Sequence, residues 1–170
     1  MTPERSRGES GPGASLNGVH RLIASSFGLG LVPRRLWGSD NGAGTFGSAL
    51  GLGIGGLLLV TGTPWWGVLI AAVVATAASV WSAGPFATDG ADPGWVCMDE
   101  TAGTLVALIG LAGWPWVVAA LVARAADIWK VLPGVPQAER LHGAVGITAD
   151  DVVAGLYGLA VGWALTAAGL

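Results

Sequence analysis

A chain of 170 residues in which 11% of side chains are charged and 52% apolar cannot cover an ordinary water-facing surface with charge. The apolar content excludes intrinsic disorder, the 29 glycines keep no three-residue period and so exclude collagen, and a formal charge of −3 offers no basis for binding nucleic acid. The composition is that of an integral membrane protein.

Residues 1–21 read as a polar Gly/Pro/Ser-rich tail carrying Glu4, Arg5, Arg7, Glu9 and Arg21. No long apolar region or cleavage pattern follows these arginines, which predicts a solvated cytoplasmic tail rather than a cleaved signal peptide. His20 lies in this tail and carries no assigned role. Residues 22–33, LIASSFGLGLVP, are too short for an ordinary crossing and predict an interfacial or partly buried helix ending near Pro33. A single helical domain is expected over residues 22–170.

No charged side chain occurs between Asn41 and Thr88, a stretch of roughly 72 Å if drawn as one helix. That is more than twice the hydrocarbon thickness of about 30 Å, so the stretch must fold back. The break is TGTPWW at 61–66, where Pro64 has no N–H to donate and Gly62 loosens the chain. Helices are predicted near 45–60 and 66–83, with Trp65 and Trp66 at the membrane–water interface. Gly47, Gly51 and Gly55 recur every four residues and predict a face that a neighbouring helix approaches closely.

The uncharged run 101–123 is long enough to cross once, but Gly110, Gly113 and Pro115 interrupt it. A single crossing would carry Asp127 about 40 Å from Asp99 and Glu100. A hairpin turning near 113–116 would instead return every Asp, Glu, Lys and Arg to one side, and this arrangement is preferred. The last run, 152–170, carries Gly158 and Gly162 at helix-packing spacing. The expectation is an all-α, compact, membrane-associated bundle of about six helices with hairpins near 61–66 and 113–116.

Asp150 and Asp151 stand immediately before the expected last helix, where such a pair either caps free N–H groups or binds an external cation. Asp99 and Glu100 repeat the arrangement. Arg124, Asp127 and Lys130 fall at i,i+3 spacing on one helical face, the pattern of a salt-bridged helix end or of a binding face. Three acidic clusters beside apolar helices are costly unless paired, hydrated or coordinated, which favours a metal site. Magnesium suits carboxylate and phosphate oxygens, and Arg124, Lys130 and Arg140 would neutralise phosphate oxygens. GAGTFGS at 42–48 reads either as a glycine-rich helix entry or as a small phosphate-binding turn. In the second reading Gly42 and Gly44 expose N–H groups, while Thr45 and Ser48 add hydroxyls. His142 is a candidate proton donor to a departing alkoxide or a loop histidine. Cys97 has no second thiol and reads as a small semi-buried side chain, with a minor place beside Asp99 as the alternative.

Four segments, GAGTFGSALG at 42–51, CMDETAG at 97–103, RAADIWKVLP at 124–133 and HGAVGITADDVVAG at 142–155, together resemble the phosphatidylglycerophosphatase A family of bacterial magnesium-dependent lipid phosphatases. The resemblance covers roughly residues 22–165. The family's turn resembles Gly44, Thr45, Gly47 and Ser48, and its acidic pairs resemble Asp99-Glu100 and Asp150-Asp151. Its Arg, Asp and Lys segment resembles Arg124, Asp127 and Lys130, and its glycine-rich approach to the double aspartate resembles Gly143 and Gly146. Ala43, Ala123, Val131 and Ala144 depart from the family pattern without touching the acidic set.

The resemblance implies an all-helical domain at the bacterial inner membrane that removes the terminal phosphate of phosphatidylglycerophosphate, with a phospholipid and the bilayer as partners. It implies magnesium held by a subset of Asp99, Glu100, Asp127, Asp150 and Asp151. Arg124 and Lys130 would bind phosphate, and either water or a carboxylate would attack phosphorus. The alternatives are a phosphatase for another lipid phosphate and a noncatalytic membrane scaffold or transporter. Asp89-Gly90 opens like the motif of cytidine-linked lipid phosphotransferases, but that motif's later spacing does not follow. Oligomeric state is open.

Overall fold

Any segment that crosses lipid must satisfy its backbone hydrogen bonds internally, and this chain does so with helices. The computed structural model describes residues 12–87 and 93–170, which form eight α-helices and one short 3-10 helix, with no strand among the described residues. Glu4, Arg5, Arg7, Glu9, Asp89 and Asp92 lie outside the described residues.

Helix α1 (Pro12–Ala24) crosses the boundary expected at residue 21, so the last part of the supposed tail is helical. The single helix expected over 22–33 does not form. Ser26, Phe27 and Gly28 take φ of 49°, 60° and 92°, and three successive left-handed residues end α1 abruptly. A 3-10 turn (Leu29–Leu31) leads into α2 (Val32–Trp37). Pro33 opens α2 rather than ending a helix, because its missing N–H falls where a helix has no partner to offer.

The charge-free stretch folds back as expected. Helix α3 (Ala43–Val60) reverses through Gly62, at φ 72°, into α4 (Trp65–Ala83). The segment GAGTFGS is the glycine-rich entry of α3, with Gly42 as its left-handed N-cap at φ 93°. The run 101–123 is not one crossing. Helix α5 (Met98–Ala107) ends early, the chain turns over 108–112 with Gly110 at φ 69°, and α6 (Gly113–Trp129) returns. The turn therefore lies just ahead of 113–116, and Pro115 is buried in the first turn of α6, where proline is tolerated.

A short α7 (Val135–Glu139) precedes α8 (Gly143–Ala167). The last helix thus starts nine residues before the expected position of 152, which corrects the placement of Asp150-Asp151 at a helix start. Gly146 and Thr148 explain the longer helix. Gly146 packs on the Leu141 carbonyl, and Thr148 hydrogen-bonds buried Ser79 of α4 at 2.8 Å.

Helix α5 is the central element, with nine of its ten residues buried among α3, α4 and α8. Such burial needs small facing residues. A Cβ on Gly51 would lie 2.8 Å from the Thr104 Cβ, and one on Gly55 would lie 2.7 Å from a Leu108 methyl. Gly158 and Gly162 similarly admit Ala123 and Ala119 of α6. Three helices, α3, α4 and α8, are long and apolar enough to cross a membrane. Their outer faces leave large apolar side chains exposed, among them Val60, Ile70, Val73 and Leu156, as lipid contact requires.

Candidate active site

The returning hairpin α5–α6 and the inward face of α8 bring the acidic clusters together at one end of the bundle. Asp99 and Glu100 lie in the first turn of α5, where the helix macrodipole favours negative charge. Asp127 sits in the last turn of α6, and Asp150 and Asp151 sit in the interior of α8. Asp127, Asp150 and Asp151 each offer an oxygen within 4.8 Å of the others. Asp99, Asp150 and Asp151 are buried, with relative exposures of 4%, 5% and 8%.

Two cations stand against these five carboxylates. Arg124 Nη1 donates to Asp127 Oδ2 at 2.6 Å and lies 4.0 Å from Glu100. Lys130 Nζ donates to Asp150 Oδ2 at 2.9 Å and to Glu139 Oε1 at 2.6 Å. Lys130 is the left-handed C-cap of α6 at φ 50°, and this conformation ends the helix where the side chain can reach α8. Burial works against the ammonium charge, but the two carboxylate hydrogen bonds outweigh it and hold Lys130 above its usual range.

Burial pushes Asp99 upward, against a lowering hydrogen bond from Glu100, and pushes Glu100 well upward with help from the Asp99 charge. Asp127 is also raised by burial, in part offset by Arg124. These directions say that the protein alone does not fully compensate the carboxylates. Asp99 Oδ1, Glu100 Oε2 and Asp150 Oδ1 are buried without a hydrogen-bond partner. An all-oxygen donor set, surplus negative charge and orphaned carboxylate oxygens fit a hard divalent cation such as magnesium. The inner cavity lined by Ser48, Gly103, Thr104, Arg124, Asp127 and Asp151 measures about 10 Å³, the space of about one water or ion.

The entry of α3 closes one side. Gly44 is buried against Glu100 and Arg124, leaving no room there for a side chain, while Ser48 reaches the inner cavity and Thr45 is exposed. Arg140 and His142 are exposed at the α7–α8 connection, and His142 is the N-cap of α8, about 12 Å along the axis from Asp150. Cys97 is wholly buried, and burial pushes its thiol up to about 11, so it is a neutral packing group. Glu139 escaped the sequence reading. Its position nine residues from Lys130 follows no helical spacing, and the kink at Lys130 creates the contact.

Ser26 anchors the α5 end of the site from beneath. Its Oγ lies 2.9 Å from both the Cys97 carbonyl and Thr101 Oγ1, and Thr101 donates to the Gly47 carbonyl at 2.9 Å. The left-handed turn at 26–28 thereby holds α5 in register with α3.

Fold and site together define a membrane-associated helical bundle that concentrates carboxylates and two cations at one end of apolar helices. Within that class the chain belongs to the phosphatidylglycerophosphatase A family, whose sequence model matches residues 22–166. No curated protein and no solved structure matches the chain.

Proposed function

We propose that this protein is a magnesium-dependent lipid phosphatase that hydrolyses the terminal phosphomonoester of phosphatidylglycerophosphate to phosphatidylglycerol and phosphate. The observation that carries the reading is the convergence of Asp127, Asp150 and Asp151 within 4.8 Å, flanked by Arg124 and Lys130, in a chain of this family. Asp127, Asp150 and Asp151 would hold magnesium, with Asp99 and Glu100 as further donors. The bound ion would withdraw charge from the phosphoryl oxygens.

Arg124 presents a planar fork to the phosphate, exchanging part of its carboxylate pairing for phosphate oxygens. Lys130, at the C-terminal end of the same helix, contributes a point charge beside Asp150. Gly44 lets the start of α3 approach the headgroup, and Thr45 and Ser48 offer hydroxyls. Arg140 and His142, at the exposed rim, engage the outer part of the headgroup. A carboxylate with an unpartnered oxygen accepts a proton from the attacking water. The water oxygen joins phosphorus, the ester P–O bond breaks, and the glycerol oxygen leaves with the proton that the carboxylate gives up.

A lipid substrate fits the architecture because its tails stay beside apolar helices while its headgroup reaches the charged end. Positive residues at that end, including Arg34, Arg35, Arg124 and Lys130, favour a cytoplasmic orientation in a bacterial inner membrane. The test is phosphate release by purified protein from phosphatidylglycerophosphate, phosphatidic acid and a polyprenyl phosphate, each with magnesium or with a chelator. Magnesium-dependent release from the first supports the reading; release only from another lipid overturns the substrate, and no release from any overturns the activity.

A further inference from the structure

An apolar groove of about 840 Å³ runs along the outside of the bundle, on the other side of the α5–α8 seam from the carboxylates. Its walls are α4 from Leu69 to Trp81, Val106 and Ile109 of α5, and Val152 and Leu156 of α8. The seam is closed between groove and site, because a Cβ on Gly103 would fall 2.8 Å from the Asp151 carbonyl carbon. An occupant of the groove therefore does not touch the acidic cluster.

Length, polarity and ends identify the occupant. From Leu69 to Trp81 α4 rises about 18 Å, close to the ~15 Å hydrocarbon depth of one leaflet. The volume lies within the roughly 300–1,000 Å³ range of pockets that enclose small ligands. The Thr76 hydroxyl in the wall already donates to the Ala72 carbonyl at 2.8 Å, which leaves the indole N–H of Trp81, at one end, as the side-chain donor of an otherwise apolar lining. Two spanning helices, α4 and α8, form its sides, so it opens to hydrocarbon.

The end at Trp81 differs from the rest. Trp81 stacks on His20 of α1 with ring centroids 4.1 Å apart, and the next residue, Arg21, places its guanidinium 5.6 Å from the Trp95 ring. Trp81 is in the last turn of α4, at the charged end of the bundle. An aromatic girdle with a cation marks headgroup depth and complements an anionic phosphate.

We propose that this groove binds one anionic phospholipid as an accessory ligand, its acyl chain along α4 between α5 and α8 and its phosphate beside Arg21. The site is separate from the catalytic cluster and does not depend on turnover.

The test is native mass spectrometry of detergent-purified protein exposed to phosphatidylglycerol or phosphatidylcholine of matched chains. Wild-type protein is expected to retain phosphatidylglycerol preferentially. Ala77→Trp and Val73→Trp, both at exposed groove positions, should lose the retained lipid with unchanged helical circular dichroism. Arg21→Gln should retain lipid without headgroup preference, and Asp151→Asn should retain it as wild type does. A phospholipid with brominated acyl chains should quench wild-type fluorescence more than that of Trp81→Phe. Unchanged retention in both filled variants overturns the proposal. So does loss in Asp151→Asn, which moves the lipid to the acidic site, or a lipid-free dimer that Ala77→Trp dissolves, which assigns the groove to a second copy.

Discussion

Gly103 of α5 lies directly on the backbone of Asp151 of α8, so closely that an added Cβ would stand 2.8 Å from the Asp151 carbonyl carbon. The contact sets how closely α5, which carries Asp99 and Glu100, approaches α8, which carries Asp150 and Asp151. Gly155 repeats it one turn later, packing on the Gly103 carbonyl.

Gly103→Ala is therefore expected to separate α5 from α8 and to destabilise the protein by about 1–3 kcal/mol, the usual cost of overpacking. Activity should fall with it. Gly53→Ala is the control, since its Cβ meets no atom within 4 Å and α3 is helical there. That change should be neutral or should stabilise by up to about 1 kcal/mol. Equal losses in the two variants, measured by denaturation in detergent, would show that the close contact does not matter.

Asp151→Asn removes a charge from the convergent trio while keeping its shape. Phosphate release should drop at least about 100-fold, and magnesium should stabilise the variant less than wild type against heat. Wild-type turnover in folded protein would remove Asp151 from the site.

Lys130 separates two carboxylates with very different surroundings, since the Asp150 side chain is 7% exposed and that of Glu139 is 54% exposed. Glu139→Gln should change stability by less than about 1 kcal/mol, as an exposed partner does. Lys130→Met leaves Asp150 buried without its cation and should cost about 1–3 kcal/mol, part of which magnesium restores. Comparison of the two variants by thermal unfolding, with and without magnesium, tests the asymmetry; equal costs would contradict it.

Acidity gives a further test. Burial raises Asp99, Glu100 and Asp127, so in the window between the ordinary carboxylate range and their raised values the folded metal-free protein holds protons that the unfolded chain has released. Stability of the metal-free protein then falls as pH rises through that window. Magnesium competes for the same oxygens, so its stabilising effect should be small near about pH 5 and larger near about pH 8. A magnesium-induced shift in Tm that is the same at both pH values would count against coordination by this cluster.

Residue chemistry alone was sufficient to assign the environment and most elements. The charge-free stretch from Asn41 to Thr88 had to fold back because one helix of that length exceeds a bilayer, and Pro64 with Gly62 marked where. Gly47, Gly51 and Gly55 announced the close face that α5 occupies, because a missing Cβ at four-residue spacing leaves a continuous groove. Other features depended on contacts between distant segments. The left-handed break at Ser26 and Phe27 has no local signature and is held by hydrogen bonds to Cys97 and Thr101 across the bundle. The start of α8 at Gly143, which moves Asp150 and Asp151 from a helix end to its interior, follows from the packing of Gly146 and Thr148. The sequence by itself determined that charge is scarce, grouped and incompatible with lipid. Only the tertiary structure decided which groups share a site, because backbone-on-backbone contacts such as Gly103 on Asp151 set distances that spacing along one helix cannot encode.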